Sequence, residues 1–267
     1  MRVNPLRSDF LLSGFCRAIH EASMTEELEV KPLSEVERIV DAFVAPSKTF
    51  TDILRSTSWI FPFLLMLVVT LGVDYTIDRQ VGFERVSENQ VHLSPKREEQ
   101  LSQLTPEQRA QNMRISGMVT KYISYASPVL ILIITALGSL VLWGCFNFGL
   151  GAKTTFGQMF AVWTYASLPR LLAGLLTIFT LVFGNNQDSF NIQNAVGTNL
   201  AYYVPDAAPW LKSALSFMDV IGLWNTALLV IGTAIVAKVK MSSAAIVVVG
   251  LWFLVLLLSV GAAAAFS

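Results

Sequence analysis

The residue in this chain whose setting most demands a chemical explanation is Arg170. It follows Pro169 inside Trp163-Thr-Tyr165-Ala-Ser-Leu-Pro169-Arg170-Leu-Leu-Ala-Gly-Leu-Leu-Thr-Ile-Phe179, a run that otherwise belongs in hydrocarbon. Counted from either end of its apolar segment, Arg170 lies about 20 Å deep at ~1.5 Å per residue, close to the middle of a bilayer. A central arginine costs roughly 2.5–3.5 kcal/mol on insertion scales, so it calls for a partner or for water. Pro169 offers one partner, because proline breaks a helical hydrogen bond and clashes with the carbonyl four residues back, that of Tyr165. Asp219 offers another, as the only other charge well inside an apolar segment; Asp74 lies near the outer end of its own. On antiparallel neighbours the depths of Arg170 and Asp219 differ by about 12 Å at that rise, so pairing needs Pro169 to tilt the second half of the segment. The simpler reading is an arginine that holds a kinked helix together. The other is a hydrated cavity taking an anionic group such as a lipid headgroup. An arginine does not shuttle protons at ordinary pH, and no acidic relay crosses the apolar segments.

Catalytic machinery is sparse. A nucleophilic hydrolase needs a base beside its serine or cysteine, and the histidines, His20 and His92, both lie outside the apolar runs. His20-Glu21 begins like a zinc-protease helix, but Met24 stands where the second histidine belongs. Gly149-Leu-Gly-Ala-Lys153-Thr-Thr imitates a phosphate loop, yet Ala152 replaces the glycine before the lysine. Cys16 and Cys145 are far apart, which argues against a disulfide framework and a cysteine-rich metal site. The expectation is a non-enzymatic protein without cofactor or metal.

The elements that position Arg170 come from composition and patterning. Of the 267 residues, 54% are hydrophobic and 14% charged, against about a quarter charged in ordinary soluble domains. The formal net charge of zero gives no reason to expect nucleic acid as a partner. Five apolar segments, near 59–77, 124–149, 157–184, 215–237 and 243–265, are each about as long as the ~20 residues a transmembrane helix needs. Trp59, Tyr122, Tyr125 and Trp210 flank them as interfacial aromatics. Lys153, Lys238 and Lys240 outweigh Lys212 across the short connections, which predicts a cytoplasmic N-terminus and an external C-terminus. The fold class expected is an all-α integral membrane protein, a five-transmembrane-helix bundle. Its membrane domain covers 58–265.

Residues 1–33 read as a polar N-terminal tail. They lack a signal peptide's apolar core and cleavage site, and translation starting at Met24 is an alternative. Residues 34–57 read as two amphipathic helices. Ser34-Glu-Val-Glu37 is a capping-box pattern, and Val36, Ile39, Val40, Phe43 and Val44 follow at helical spacing. Pro46 interrupts; Ser47 can cap a second helix with Phe50, Ile53 and Leu54 on one side. Such helices most simply lie on the cytoplasmic membrane surface, the alternative being that they pack against loops of the bundle. The external loop 78–122 should be helical, starting at Ser94-Pro95 and again at Thr105-Pro-Glu-Gln108, a capping box whose helix runs through Met113 and Ile115 into the second span. The external segment 185–214, rich in Asn and aromatics, suits an interfacial or re-entrant stretch.

Three stretches carry a resemblance: Phe43-Val-Ala-Pro46-Ser-Lys-Thr-Phe50, Trp163-Thr-Tyr165-Ala-Ser-Leu-Pro169, and Met218-Asp219-Val-Ile-Gly-Leu-Trp224. Together they resemble the Yip family of Ypt/Rab-GTPase-interacting membrane proteins, specifically its bacterial branch, over about 36–262. The second is similar to the family's Gly-Tyr-Ser-Leu…Pro element, with Thr164 in place of the glycine; the third is similar to its Leu-Asp-x-Phe-x-x-Trp element. The Asp-Leu-Tyr-Gly-Pro element of eukaryotic members is missing, so small-GTPase binding is not carried over. The resemblance implies a cytoplasmic N-terminus and five spans, in the inner membrane of a bacterium. It leads to a protein that organises membrane lipids or partner proteins, including further copies of itself. The alternative is a small-solute or lipid transporter with a site near Arg170, Tyr165 and Asp219.

Overall fold

Apolar runs of bilayer length with few helix breakers dictate helices, and helices are what the chain forms. The structure, a computed structural model, describes residues 32–92, 95–184 and 190–266. Among these, β structure is limited to an isolated bridge between Asn199 and Asp219. The polar tail to residue 31, with His20, Cys16 and the Met24 start, lies outside the described residues, as does Ser94. Residues from Glu35 onward cluster as one compact unit.

Five helical stretches are long and apolar enough to cross a membrane: span one Ile60–Gln80, span two Pro106–Gly149, span three Phe156–Phe183, span four Val220–Ala237 and span five Met241–Ala265. Two further helices precede them, α1 (Glu35–Val44) and α2 (Pro46–Ile53). Span two is one continuous α-helix from Pro106 to Gly144, closed by a π-helical turn at Cys145–Gly149. Thr105 caps it as the sequence indicates: its Oγ1 accepts the Gln108 N–H at 3.3 Å, while Gln108 Oε1 accepts the Thr105 N–H at 3.1 Å. A second capping box, Thr155 with Gln158, opens span three and escaped the sequence reading.

The chain between spans one and two is helical, Phe83–His92 and then Pro95–Ser102. The first of these is fastened to span two by Ser87 and Thr120, hydroxyls 3.0 Å apart, while Lys121 reaches back to Asp78 of span one at 2.8 Å. Between spans three and four, the described residues form 3-10 turns at Ile192–Asn194 and Leu200–Tyr203 and a helix at Pro209–Ser216. Span four starts at Val220, later than the apolar run suggests. Asp219 therefore sits at the mouth of that span and not inside it. Its carboxylate accepts the N–H groups of Ile221 (3.3 Å) and Gly222 (3.0 Å), the use for which aspartate is favoured at a helix start.

Candidate functional site

Helix α1 does not bury the face that its valines mark. Val36, Val40 and Val44 are 61%, 51% and 73% exposed, whereas Arg38 and Ala42 are buried. The reason lies in α2, which turns back beside α1. Pro46 occupies its first turn, where a missing N–H costs nothing, so Ser47 is not needed as a cap. Folding back brings Asp52 onto Arg38, and the two form a buried, closely hydrogen-bonded ion pair. Arg55 holds the same carboxylate from the exposed side at 2.9 and 3.1 Å. Thr49 Oγ1 donates to the Arg38 carbonyl at 2.8 Å.

The cluster extends into span three. The hydroxyl of Tyr165, a fully buried residue, donates to Glu35 Oε2 at 3.1 Å. Glu35 Oε1 lies 3.9 Å from Arg38 Nη1, which makes no hydrogen bond among the described residues. Burial opposes the charge on Arg38, but the neighbouring Tyr165 hydroxyl and the Asp52 carboxylate outweigh that and hold it above the ordinary arginine value. Burial likewise pushes the Asp52 carboxyl up, and the bonds from Arg55 and Arg38 overcome it, leaving it below the usual carboxylate range. Two cations and two anions thus close a neutral circuit around Tyr165.

Arg170 is placed otherwise than its sequence suggests. Span three is interrupted at Ser167–Pro169, and its second helix starts at Arg170 with Pro169 as the residue before it. The interruption closes by short-range bonds: Arg170 N–H to Ser167 O (3.0 Å), Leu171 N–H to Leu168 O (2.9 Å) and Leu172 N–H to Pro169 O (3.0 Å). The Tyr165 carbonyl accepts the Leu168 N–H at 3.2 Å, so the guanidinium is not needed there. The carbonyl of Ala166 is served instead by Asn225 Nδ2 of span four at 2.7 Å. Asn225→Ala leaves that buried acceptor unpaired. It should lower stability by about 1–3 kcal/mol, read as an earlier thermal transition in detergent.

The Asn225–Ala166 bond also sets the register of spans three and four. Arg170 lies about 6 Å beyond Ala166 and Asp219 about 9 Å beyond Asn225 in the same direction, so their levels differ by roughly 3 Å and not 12. They nevertheless form no ion pair, and Asp219 acts on Arg170 only through space. Among the described residues the Arg170 side chain has no hydrogen-bond or ion-pair partner. It borders a cavity of about 270 Å³ between spans one, two and three. Met66, Val69, Thr70 and Val73 line one wall; Ile131, Ile134 and Thr135 line the second. Trp163, Ser167, Leu171 and Gly174 complete it. Gly174 lets spans one and three meet there, since a Cβ would fall 2.8 Å from Val69 Cγ1. Asp74, one turn beyond Thr70, is buried, and its Oδ2 has no hydrogen-bond partner among the described residues.

The three stretches singled out in the sequence converge. Phe43 of α1 meets Trp224 of span four edge to face, centroids 5.7 Å apart. Phe50 of α2 is fully buried against span four, where a Cβ on Gly232 would fall 2.8 Å from the ring and 2.7 Å from Val162 Cγ1 of span three. Tyr165 joins the charged circuit. A family model described as the Yip1 domain matches residues 40–263, a range that takes in all three stretches. The chain belongs to the Yip1 domain family. It is an integral, multipass membrane protein. No curated protein and no solved structure matches it.

Within this Yip1 domain Tyr165 belongs to the charged circuit, Phe50 and Trp224 lie where α1 and α2 meet span four, and Pro46 opens α2, whereas Arg170 and Asp219 stand outside the circuit. Sequence reasoning missed Arg38, Asp52 and Asn225. The signal for Arg38 was its spacing with Ala42, four residues on, which places it on a different face from Val36, Val40 and Val44. Asn225, an amide inside an apolar run, could have been flagged on cost alone.

Proposed function

We propose that this Yip1-domain chain is a non-enzymatic member of the family's bacterial branch that organises lipids, or proteins embedded in them, in the cytoplasmic (inner) membrane. In this reading the N-terminus is cytoplasmic and the C-terminus external. The observation that carries it is the outward stripe of Val36, Val40 and Val44 on a helix fixed to span three through the Glu35–Tyr165 bond of the ionic circuit and to span four through Phe43 against Trp224. A rigidly held apolar stripe that leads into span one is a surface for acyl chains or an apolar partner helix. Transport through Arg170, Tyr165 and Asp219 gains no separate support. The Tyr165 hydroxyl is engaged by Glu35, and the Asp219 carboxylate by backbone N–H groups.

The test is to identify what co-purifies from gentle detergent with the wild type and with Val40→Asp. A specific lipid or protein should accompany the wild type and be depleted in the variant; the same material on both would refute the reading. Topology is checked in a background lacking Cys16 and Cys145. A cysteine placed at Arg109 should react with an impermeant reagent in intact cells and one at Lys153 should not; the reverse pattern inverts the arrangement.

A further inference from the structure

The cavity beside Arg170 combines a permanent charge with walls that cannot satisfy it. Arginine stays protonated at any physiological pH. Its side chain is exposed at the rim, where Ile131 and Ile134 of span two are also exposed, so the opening faces sideways out of the bundle. Asp219 is occupied by two N–H groups of span four and makes no contact with the guanidinium. The interior is mostly aliphatic, and of its three hydroxyls Ser167 already donates to the Trp163 carbonyl at 2.9 Å, while those of Thr70 and Thr135 have no partner among the described residues. A guanidinium matches the two oxygens of a carboxylate or phosphate. The walls match hydrocarbon. At about 270 Å³ the space falls below the roughly 300–1,000 Å³ of sites that enclose a whole drug-sized ligand. It therefore suits the head and first carbons of a molecule whose remainder stays in the bilayer.

We propose that this cavity is a binding site for the acidic head of a membrane amphiphile, carboxylate or phosphate, which enters sideways past Ile131 and Ile134 and ends on Arg170 with Thr70 as a second donor. The inference rests on the lipid-organising reading of the chain and names the class of lipid. A small soluble anion would find one cation and little else polar, so the acyl chain is part of what is recognised.

Purified full-length protein in nanodiscs of zwitterionic lipid is irradiated with a diazirine-bearing long-chain fatty acid, its methyl ester, or a diazirine-bearing phosphatidic acid. One or both acidic probes should label peptides containing Ile131–Thr135 or Trp163–Gly174, and the ester should label them only at background. Competition by unlabelled fatty acid or phosphatidic acid tells which head is preferred. Arg170→Gln should reduce labelling about tenfold or more, and Arg170→Lys should retain part of it. Ile134→Trp, a change at an exposed position, should block entry without disturbing the fold. Equal labelling by the ester, undiminished labelling of folded Arg170→Gln, or competition by inorganic phosphate as strong as by the lipid would overturn the proposal. If Arg170→Gln does not fold, undiminished labelling of Ile134→Trp overturns it instead. Co-purifying lipid that still depends on Val40 would then sink only the cavity assignment, whereas lipid indifferent to both positions would sink the broader reading too.

Discussion

Asp52→Ala should lower the stability of the protein by about 3–5 kcal/mol, the loss typical of leaving a buried charge without its partner. Arg38 is 1% exposed and would keep only Glu35, 3.9 Å away, and the backbone carbonyl at position 52, at 3.5 Å. Arg38→Met should cost less, because Arg55 still holds Asp52 at 2.9 and 3.1 Å. The double change Arg38→Met with Asp52→Leu should recover much of the loss, since a buried pair replaced by apolar groups of similar size is often nearly neutral. Thermal unfolding in detergent, followed by the reactivity of the half-buried Cys145, gives all three values. A double variant as unstable as the sum of the singles would mean that the circuit does not act as a unit. The pH dependence has a definite sign. Asp52 is held below the ordinary carboxylate value, so its stabilisation is complete above about pH 4 and is lost only as pH falls toward its lower folded value. Stability attributable to this carboxylate should be flat between about pH 5 and 8.

Phe50→Ala should be comparably damaging, about 3–5 kcal/mol, because a fully buried ring is removed from the join between α2, span three and span four. The opposite change at the same join, Gly232→Ala, should also destabilise, by roughly 1–3 kcal/mol, since the new methyl meets Phe50 and Val162 below 3.0 Å. Combined, the two should cost less than their sum, because the smaller side chain at 50 relieves one of the two clashes. Strict additivity of the measured losses would place Phe50 elsewhere.

Much of the frame was legible because it depends on local pattern. Each span has a long apolar run that needs no partner to be recognised, and Thr105 with Gln108 marks a helix start from four residues. Misplacements occurred where a residue serves the backbone. Asp219 adjoins an apolar run but caps it, and the Tyr165 carbonyl that the arginine was expected to approach accepts the Leu168 N–H, while Asn225 serves the Ala166 carbonyl beside it. Arg38 was illegible for another reason. Beside Glu35 it reads as a solvated charge, and its burial is decided by Asp52, 14 residues on, and by packing against span three. The valines of α1 misled similarly, since amphipathic spacing says which face is apolar but not whether the bundle or the bilayer takes it.

The circuit around Tyr165 has a consequence for the order of assembly. Glu35 leaves the ribosome 130 residues before Tyr165, its partner, and Gly232, the seat of Phe50, comes later still. Until both have been made, the groove that receives α1 and α2 does not exist, and Arg38 and Asp52 have to stay hydrated beside the bilayer. The first helices of this domain are therefore the last to be seated, and their docking reports that spans three and four have been inserted and paired.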